Sequence, residues 1–259
     1  MPAGGDPCMW TDLDWDQRGD EPLMNYDDEA RKLFEQLNLP DPTVENTEDE
    51  ELFSSFGIVM DSPNVPNAVY QHPTTGAQFF IGGEFAAKER WVLDQYKIYN
   101  IICAKGSSGP LYHVNDPKFT YLPWHIESLP RMRPHLKDAE QIFNFLHPVH
   151  SYIQSSLERG ENVMVHCLAG AHRAGTTGVS YMMKASGLGY EDARRVARKV
   201  RPVVDPCGQL ETLLKKQEEA AKELKIDEDL SKAQIELDVT IDLEMSLFTV
   251  VGDGKTFEV

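Results

Sequence analysis

From Ala68 to Leu224 strand-like runs alternate with helical patterns, an order that builds a mainly parallel sheet with helices against it. Ala68-Val69-Tyr70-Gln71-His72 and Gln78-Phe79-Phe80-Ile81 are strand-like around the turn Pro73-Thr74-Thr75-Gly76. Glu84 to Tyr96 is predicted helical, with Phe85, Trp91, Val92 and Tyr96 as its apolar face. Lys97-Ile98-Tyr99-Asn100-Ile101-Ile102-Cys103 reads as a buried strand stopped by Gly106-Ser107-Ser108-Gly109, and Phe119-Thr120-Tyr121-Leu122 as another, ended by Pro123. A long helix is expected from about Pro134 to Leu157. There Ala139, Ile142, Phe143, Leu146, Val149, Ile153 and Leu157 recur as a core-facing stripe, and Pro148 should kink or split the helix. Asn162-Val163-Met164-Val165-His166 is the next buried strand, followed by helices at about Arg173–Ser186, Tyr190–Lys199 and Pro206–Leu224. The expected fold class is a three-layer α/β sandwich whose central, mainly parallel sheet has about five strands.

Outside this region the pattern weakens. Residues 1–62 are acidic, with five acids in Glu45-Asn46-Thr47-Glu48-Asp49-Glu50-Glu51. They are expected to be a largely disordered extension, apart from a short helix from Asp28 to Leu37 with Ala30, Leu33 and Leu37 on one face. Residues 63–224 form the domain. Residues 225–259 are a second extension, where alternation about Gly252-Asp253-Gly254 suits a β-hairpin. The net charge of −17 opposes binding to nucleic acid or an anionic membrane. No apolar run reaches the length of a membrane span, and Met1-Pro2-Ala3-Gly4-Gly5-Asp6 lacks a basic n-region, so a soluble cytoplasmic chain is expected. Cys8, Cys103, Cys167 and Cys207 lie far apart, which argues against a disulfide framework or a zinc site.

The chemistry concentrates in Val165-His166-Cys167-Leu168-Ala169-Gly170-Ala171-His172-Arg173-Ala174. A thiol at a strand's carboxyl end, just before a helix, meets unpaired amides and the positive end of the helix dipole, which favour the nucleophilic thiolate. Small residues at Ala169, Gly170 and Ala171 let consecutive amides turn inward as an anion-binding nest. Arg173 closes the ring with a planar fork that can hold two phosphate oxygens at once. Such a set suits attack of sulfur on a phosphoester.

His166-Cys167-x-x-Gly170-x-x-Arg173 resembles the active-site loop of the protein tyrosine phosphatase superfamily, dual-specificity branch. The likeness runs from about Phe79 to Leu214, taking in Phe80-Ile81-Gly82-Gly83 and Arg201-Pro202-Val203-Val204-Asp205-Pro206. It implies a phosphocysteine intermediate at Cys167, with Arg173 binding substrate and transition state and His166 ordering the loop. Leu168, Ala169, Gly170, Ala171 and His172 would line the substrate phosphate, and no metal or organic cofactor is required. Lys97 to Ala104 is similar to the matching strand of the tumour-suppressor lipid phosphatase in this superfamily. That likeness makes Cys103 a candidate resolving thiol for Cys167, beside its plainer reading as a small core residue.

Two positions depart from the family pattern. Ala174 stands where a serine or threonine would help the sulfur leave, so breakdown of the intermediate is expected to be slow. The stretch Tyr121-Leu122-Pro123-Trp124-His125-Ile126-Glu127 lacks the family's aspartic general acid. Glu127 is the candidate in its place, His125 a weaker one, and Asp138 reads as a helix residue. Arg131 and Arg133 follow in a long loop, either greeting an acidic phosphosubstrate or serving as surface charge. Lipid phosphatases of the superfamily carry lysines in the active-site loop, whereas Leu168-Ala169-Gly170-Ala171-His172 has none, so the resemblance points to phosphoprotein rather than inositol-lipid substrates. The expected function is hydrolysis of phosphotyrosine, with phosphoserine and phosphothreonine also open. The alternative is a low-turnover pseudophosphatase that binds phosphate as a regulator, and a thiol sulfurtransferase is the remote third reading. Oligomeric state is left open.

Overall fold

The computed structural model describes residues 24–37, 39, 65–106, 109–129 and 136–224. Strands β1 (Asn67–Gln71), β2 (Gln78–Gly82), β3 (Ile98–Cys103), β4 (Thr120–Pro123) and β5 (Asn162–His166) form one sheet in the order β1-β2-β5-β3-β4. Only β1 and β2 pair antiparallel; the other neighbours are parallel. Val165 pairs with Ile81 on one side and Ile102 on the other, which puts the end of β5 at the centre of the sheet.

The alternation of side chains along each strand divides the core into two layers. Phe79, Ile81, Ile102, Val163 and Val165 face one cluster, while Phe80, Ile101 and Met164 face the other. Each such fully buried side chain contributes about 1.5–3 kcal/mol. Helices α2 (Glu84–Lys88) and α3 (Arg90–Gln95) cover the second face through Ala86, Ala87, Val92 and Leu93. Helices α4 (Ala139–Glu158), α5 (Arg173–Ser186), α6 (Tyr190–Val200) and α7 (209–224) build the opposite layer. This is the three-layer α/β sandwich with a mainly parallel sheet. Among the described residues no helix is long and apolar enough to cross a membrane.

Four local expectations need correction. The single helix from Glu84 to Tyr96 is two helices, broken where Glu89 is extended (φ −78°, ψ 106°); the break turns Val92 and Leu93 inward and leaves Trp91 exposed. Helix α4 begins at Ala139, not Pro134, because Asp138 caps it by accepting from the Gln141 amide. It also continues through Pro148 as one 20-residue helix. Buried Phe145, Leu146, Val149 and Ile153 hold both halves on the sheet, which outweighs the one hydrogen bond that proline removes. Ahead of the sheet, α1 (Tyr26–Gln36) starts two residues before the expected helix and buries Tyr26, Ala30 and Phe34, while Leu37 is exposed. The expected hairpin at 225–259 and the arginines Arg131 and Arg133 lie outside the described residues, as does the rest of the N-terminal extension.

Two buried histidines make stability acid-sensitive. His150 Nε2 lies 2.8 Å from Ser180 Oγ, and burial pulls its pKa down to about 3; burial pulls that of His166 down to about 4. The unfolded chain takes up both protons near pH ~6.5, so stability is full above that value and lost as pH falls toward the folded values. The loss approaches about 1.4 kcal/mol per pH unit for each histidine. Thermal melts between pH ~7.5 and ~5 should show Tm dropping with acid, less steeply in His150→Gln. A Tm that is flat over that range would contradict the assignment.

Candidate active site

β5 ends at His166 and α5 begins at Arg173, so residues 167–172 must turn the chain within one short loop. Gly170 makes the turn in the left-handed region (φ +66°), and a Cβ there would lie 2.5 Å from the Gly82 carbonyl oxygen. The loop carbonyls are engaged outward. Leu168 O accepts from the Glu84 amide at 2.8 Å, and Ala171 O accepts from the Asp205 amide at 3.1 Å. Between them, Arg201 donates from Nη2 to Ala169 O at 2.7 Å and from Nε to Gly170 O at 3.1 Å. With the carbonyls held on the outside, the loop amides are the groups left for an anion.

Arg201 is 1% exposed and also donates from Nη1 to Val65 O and Asn67 Oδ1, tying the loop to the start of β1. Burial lowers its pKa to about 10, with the Cys167 charge acting the other way, so it remains a cation at neutral pH. The sequence marks this arginine only as the first residue of the family-like segment Arg201-Pro202-Val203-Val204-Asp205-Pro206; its burial comes from the packing of α6 and its following turn under the loop.

Cys167 and Arg173 are both buried, at the two ends of the loop. Arg173 Nη2 donates to Asp27 Oδ1, a partner 146 residues away in α1. Asp27 Oδ2 is 3.9 Å from Lys105 Nζ, and Lys105 also pairs with Glu84 at 2.9 Å. Asp27, Lys105 and Glu84 were not among the residues singled out in the sequence. His166 is fully enclosed, with neither ring nitrogen partnered among the described residues. Its lowered pKa makes it neutral at pH 7, so it contributes shape rather than positive charge. His172 turns away from solvent: its Nδ1 lies 2.5 Å from Asp205 O and 3.5 Å from Cys207 Sγ. Cys103 pairs with His166 across β3 and β5, and burial raises its thiol pKa.

Glu127 sits in the 3-10 turn Ile126–Ser128, under Gly106, where a Cβ would lie 1.9 Å from its Oε1. Its Oε1 is 3.5 Å from His125 Nδ1, and Oε2 is buried without a partner among the described residues. Burial raises its pKa against the opposing charges of His125 and Arg173. Asp138 is spent as the cap of α4. Ala174 is fully buried. The two threonines after it donate back along α5, Thr176 Oγ1 to His172 O at 2.7 Å and Thr177 Oγ1 to Arg173 O at 2.9 Å. Trp124 Nε1 further ties down Thr177 Oγ1 at 3.2 Å.

A parallel sheet with this loop at the end of its central strand defines a class. Residues 80–219 match the dual specificity phosphatase catalytic domain, and the chain belongs to that family. Human dual specificity protein phosphatase 15 is 30% identical over 127 residues, covering 49% of this chain and 39% of the relative. Its Mus musculus counterpart is 29% identical over the same length, covering 49% of each. Protein-tyrosine-phosphatase MKP1 of Arabidopsis thaliana is 26% identical over 127 residues, covering 49% of this chain and 15% of the relative. The chain thus spans about half the length, or less, of these curated relatives. A mouse putative dual specificity phosphatase, solved with zinc tungstate, shares the fold: TM-score 0.50, 21% identity, 66% of this chain and 97% of that one.

Proposed function

We propose that the chain is a cysteine-dependent phosphatase that hydrolyses phosphotyrosine, and also phosphoserine and phosphothreonine, in proteins. The observation that carries this reading is the loop with its carbonyls bonded outward between Cys167 and Arg173. In the first step Cys167 sulfur attacks phosphorus, the P–O ester bond breaks, and Glu127 gives its proton to the leaving oxygen. The loop amides and Arg173 hold the three non-bridging oxygens through the transfer. Water then attacks phosphorus with loss of its proton to Glu127, the P–S bond breaks, and inorganic phosphate and the thiolate return.

A second reading, a low-turnover phosphate-binding regulator, is favoured by one observation. No hydroxyl at Ala174 is there to assist the leaving sulfur, and those of Thr176 and Thr177 are bonded to helix carbonyls.

Glu127→Gln separates acid catalysis from binding. The variant should hydrolyse an alkyl phosphate about 10²–10⁴-fold more slowly than wild type, because that leaving group needs a proton. An acidic nitrophenol leaving group should be far less affected. The pKa of Glu127 lies above the usual carboxyl value through burial. Only the protonated form donates, so wild-type activity on the alkyl ester should fall as pH rises through that pKa, and the fall should vanish in Glu127→Gln. Folded wild-type protein that binds tungstate yet releases no phosphate from either ester would leave the regulator reading.

A further inference from the structure

Helix α1 lies outside the residues that match the family, yet it is packed on the phosphate loop. Tyr26, Ala30 and Phe34 are four residues apart and share one face, which is buried. Ala30 and Phe34 pack against Ala169 and Ala171 of the loop and Val203 beside it. The Tyr26 ring centroid is 6.5 Å from that of His172, and Met24 Sδ is 3.8 Å from Cys207 Sγ. Asn25 caps the helix by accepting from the Asp27 and Asp28 amides, which orients the first turn toward the site. There the Asp27 carboxylate takes Arg173 Nη2 and comes near Lys105.

We propose that α1 is an intramolecular inhibitor, in which Asp27 occupies the guanidinium that a substrate phosphate requires. Its consequence for turnover rests on the phosphatase reading above; its geometry does not. A carboxylate matches one edge of the arginine fork, as a phosphate does, but carries less charge and fewer acceptor oxygens. It therefore competes by proximity, as part of the same chain, so that its binding to Arg173 is an intramolecular event. The closed state is also poised to open. An 11-residue helix is too short to be stable by itself, and the Tyr26 hydroxyl is buried with no partner among the described residues. A phosphorylated side chain enters when α1 lifts away and releases Arg173.

Tungstate binding by calorimetry tests this in the full chain. Asp27→Asn should tighten binding about tenfold, the effect of losing one charge-assisted hydrogen bond from the closed state, and Phe34→Asp at least as much. Exposed Glu35→Gln should match wild type. Wild-type affinity in both Asp27→Asn and Phe34→Asp, with unchanged melting, overturns the proposal. Tighter tungstate binding without hydrolysis would keep α1 as an occupant of an oxyanion site and remove the phosphatase reading. Intact hydrolysis with both tungstate binding and burst rate indifferent to the two variants would do the reverse.

Discussion

Rapid mixing with an aryl phosphate should give a burst of phenol followed by slow steady release, and Cys167→Ser should abolish both, on the order of 10⁴-fold or more. The variant should still bind tungstate, because the loop amides and Arg173 are untouched. The burst reports formation of the phosphocysteine, and the slow phase its hydrolysis. Ala174→Ser restores a hydroxyl at the buried position beside Arg173, where Thr176 and Thr177 offer none. Steady release should therefore quicken in Ala174→Ser while the burst rate stays the same. Linear release from the first turnover would place the slow step before the intermediate and clear Ala174 as the brake. Because α1 covers the site, the same traces recorded in Asp27→Asn distinguish slow opening from slow hydrolysis: opening affects the burst, hydrolysis the phase after it.

The second large effect is expected at Arg201, which touches no substrate group. Arg201→Met leaves the Ala169, Gly170 and Val65 carbonyls without the guanidinium that joins them. Each buried acceptor so orphaned costs about 1–3 kcal/mol, and the whole site about 3–5 kcal/mol. Tm should fall on the order of 10 °C. The folded remainder should also bind tungstate more weakly, because the outward pull on the loop carbonyls is gone. Arg201→Lys should rescue little, since an ammonium cannot span the same acceptors with a fixed fork. A variant that melts within about 2 °C of wild type and binds tungstate normally would show that Gly170 and its neighbours hold the loop unaided.

Much of the active-site frame was legible because it is local. Strand Asn162–His166 and helix Arg173–Ser186 have the bounds that the apolar run, the small-residue loop and the helical pattern imply. Elsewhere, local signals were outweighed by packing. Glu84 to Tyr96 has helical spacing throughout, but burial of both Ala86-Ala87 and Val92-Leu93 on one core requires the break at Glu89. Pro148 is a helix breaker by itself, yet α4 runs through it unsplit, with buried Phe145, Leu146, Val149 and Ile153 on both sides of it. The local sequence does not say which way His172 faces; it is buried beside Tyr26 and the turn at Asp205.

The sequence by itself determined the fold class, the loop from Cys167 to Arg173 and its unusual Ala174. Each of these depends on residues within a few positions of one another, whose backbone preferences and burial patterns act locally. Only the tertiary structure decided which distant groups complete the site. Arg201 reaches Ala169 from 32 residues away, and Asp27 reaches Arg173 from 146. Such contacts form because the sheet and its helices bring remote segments to the same end of β5, and no periodicity in the chain records where an isolated aspartate or arginine will then lie.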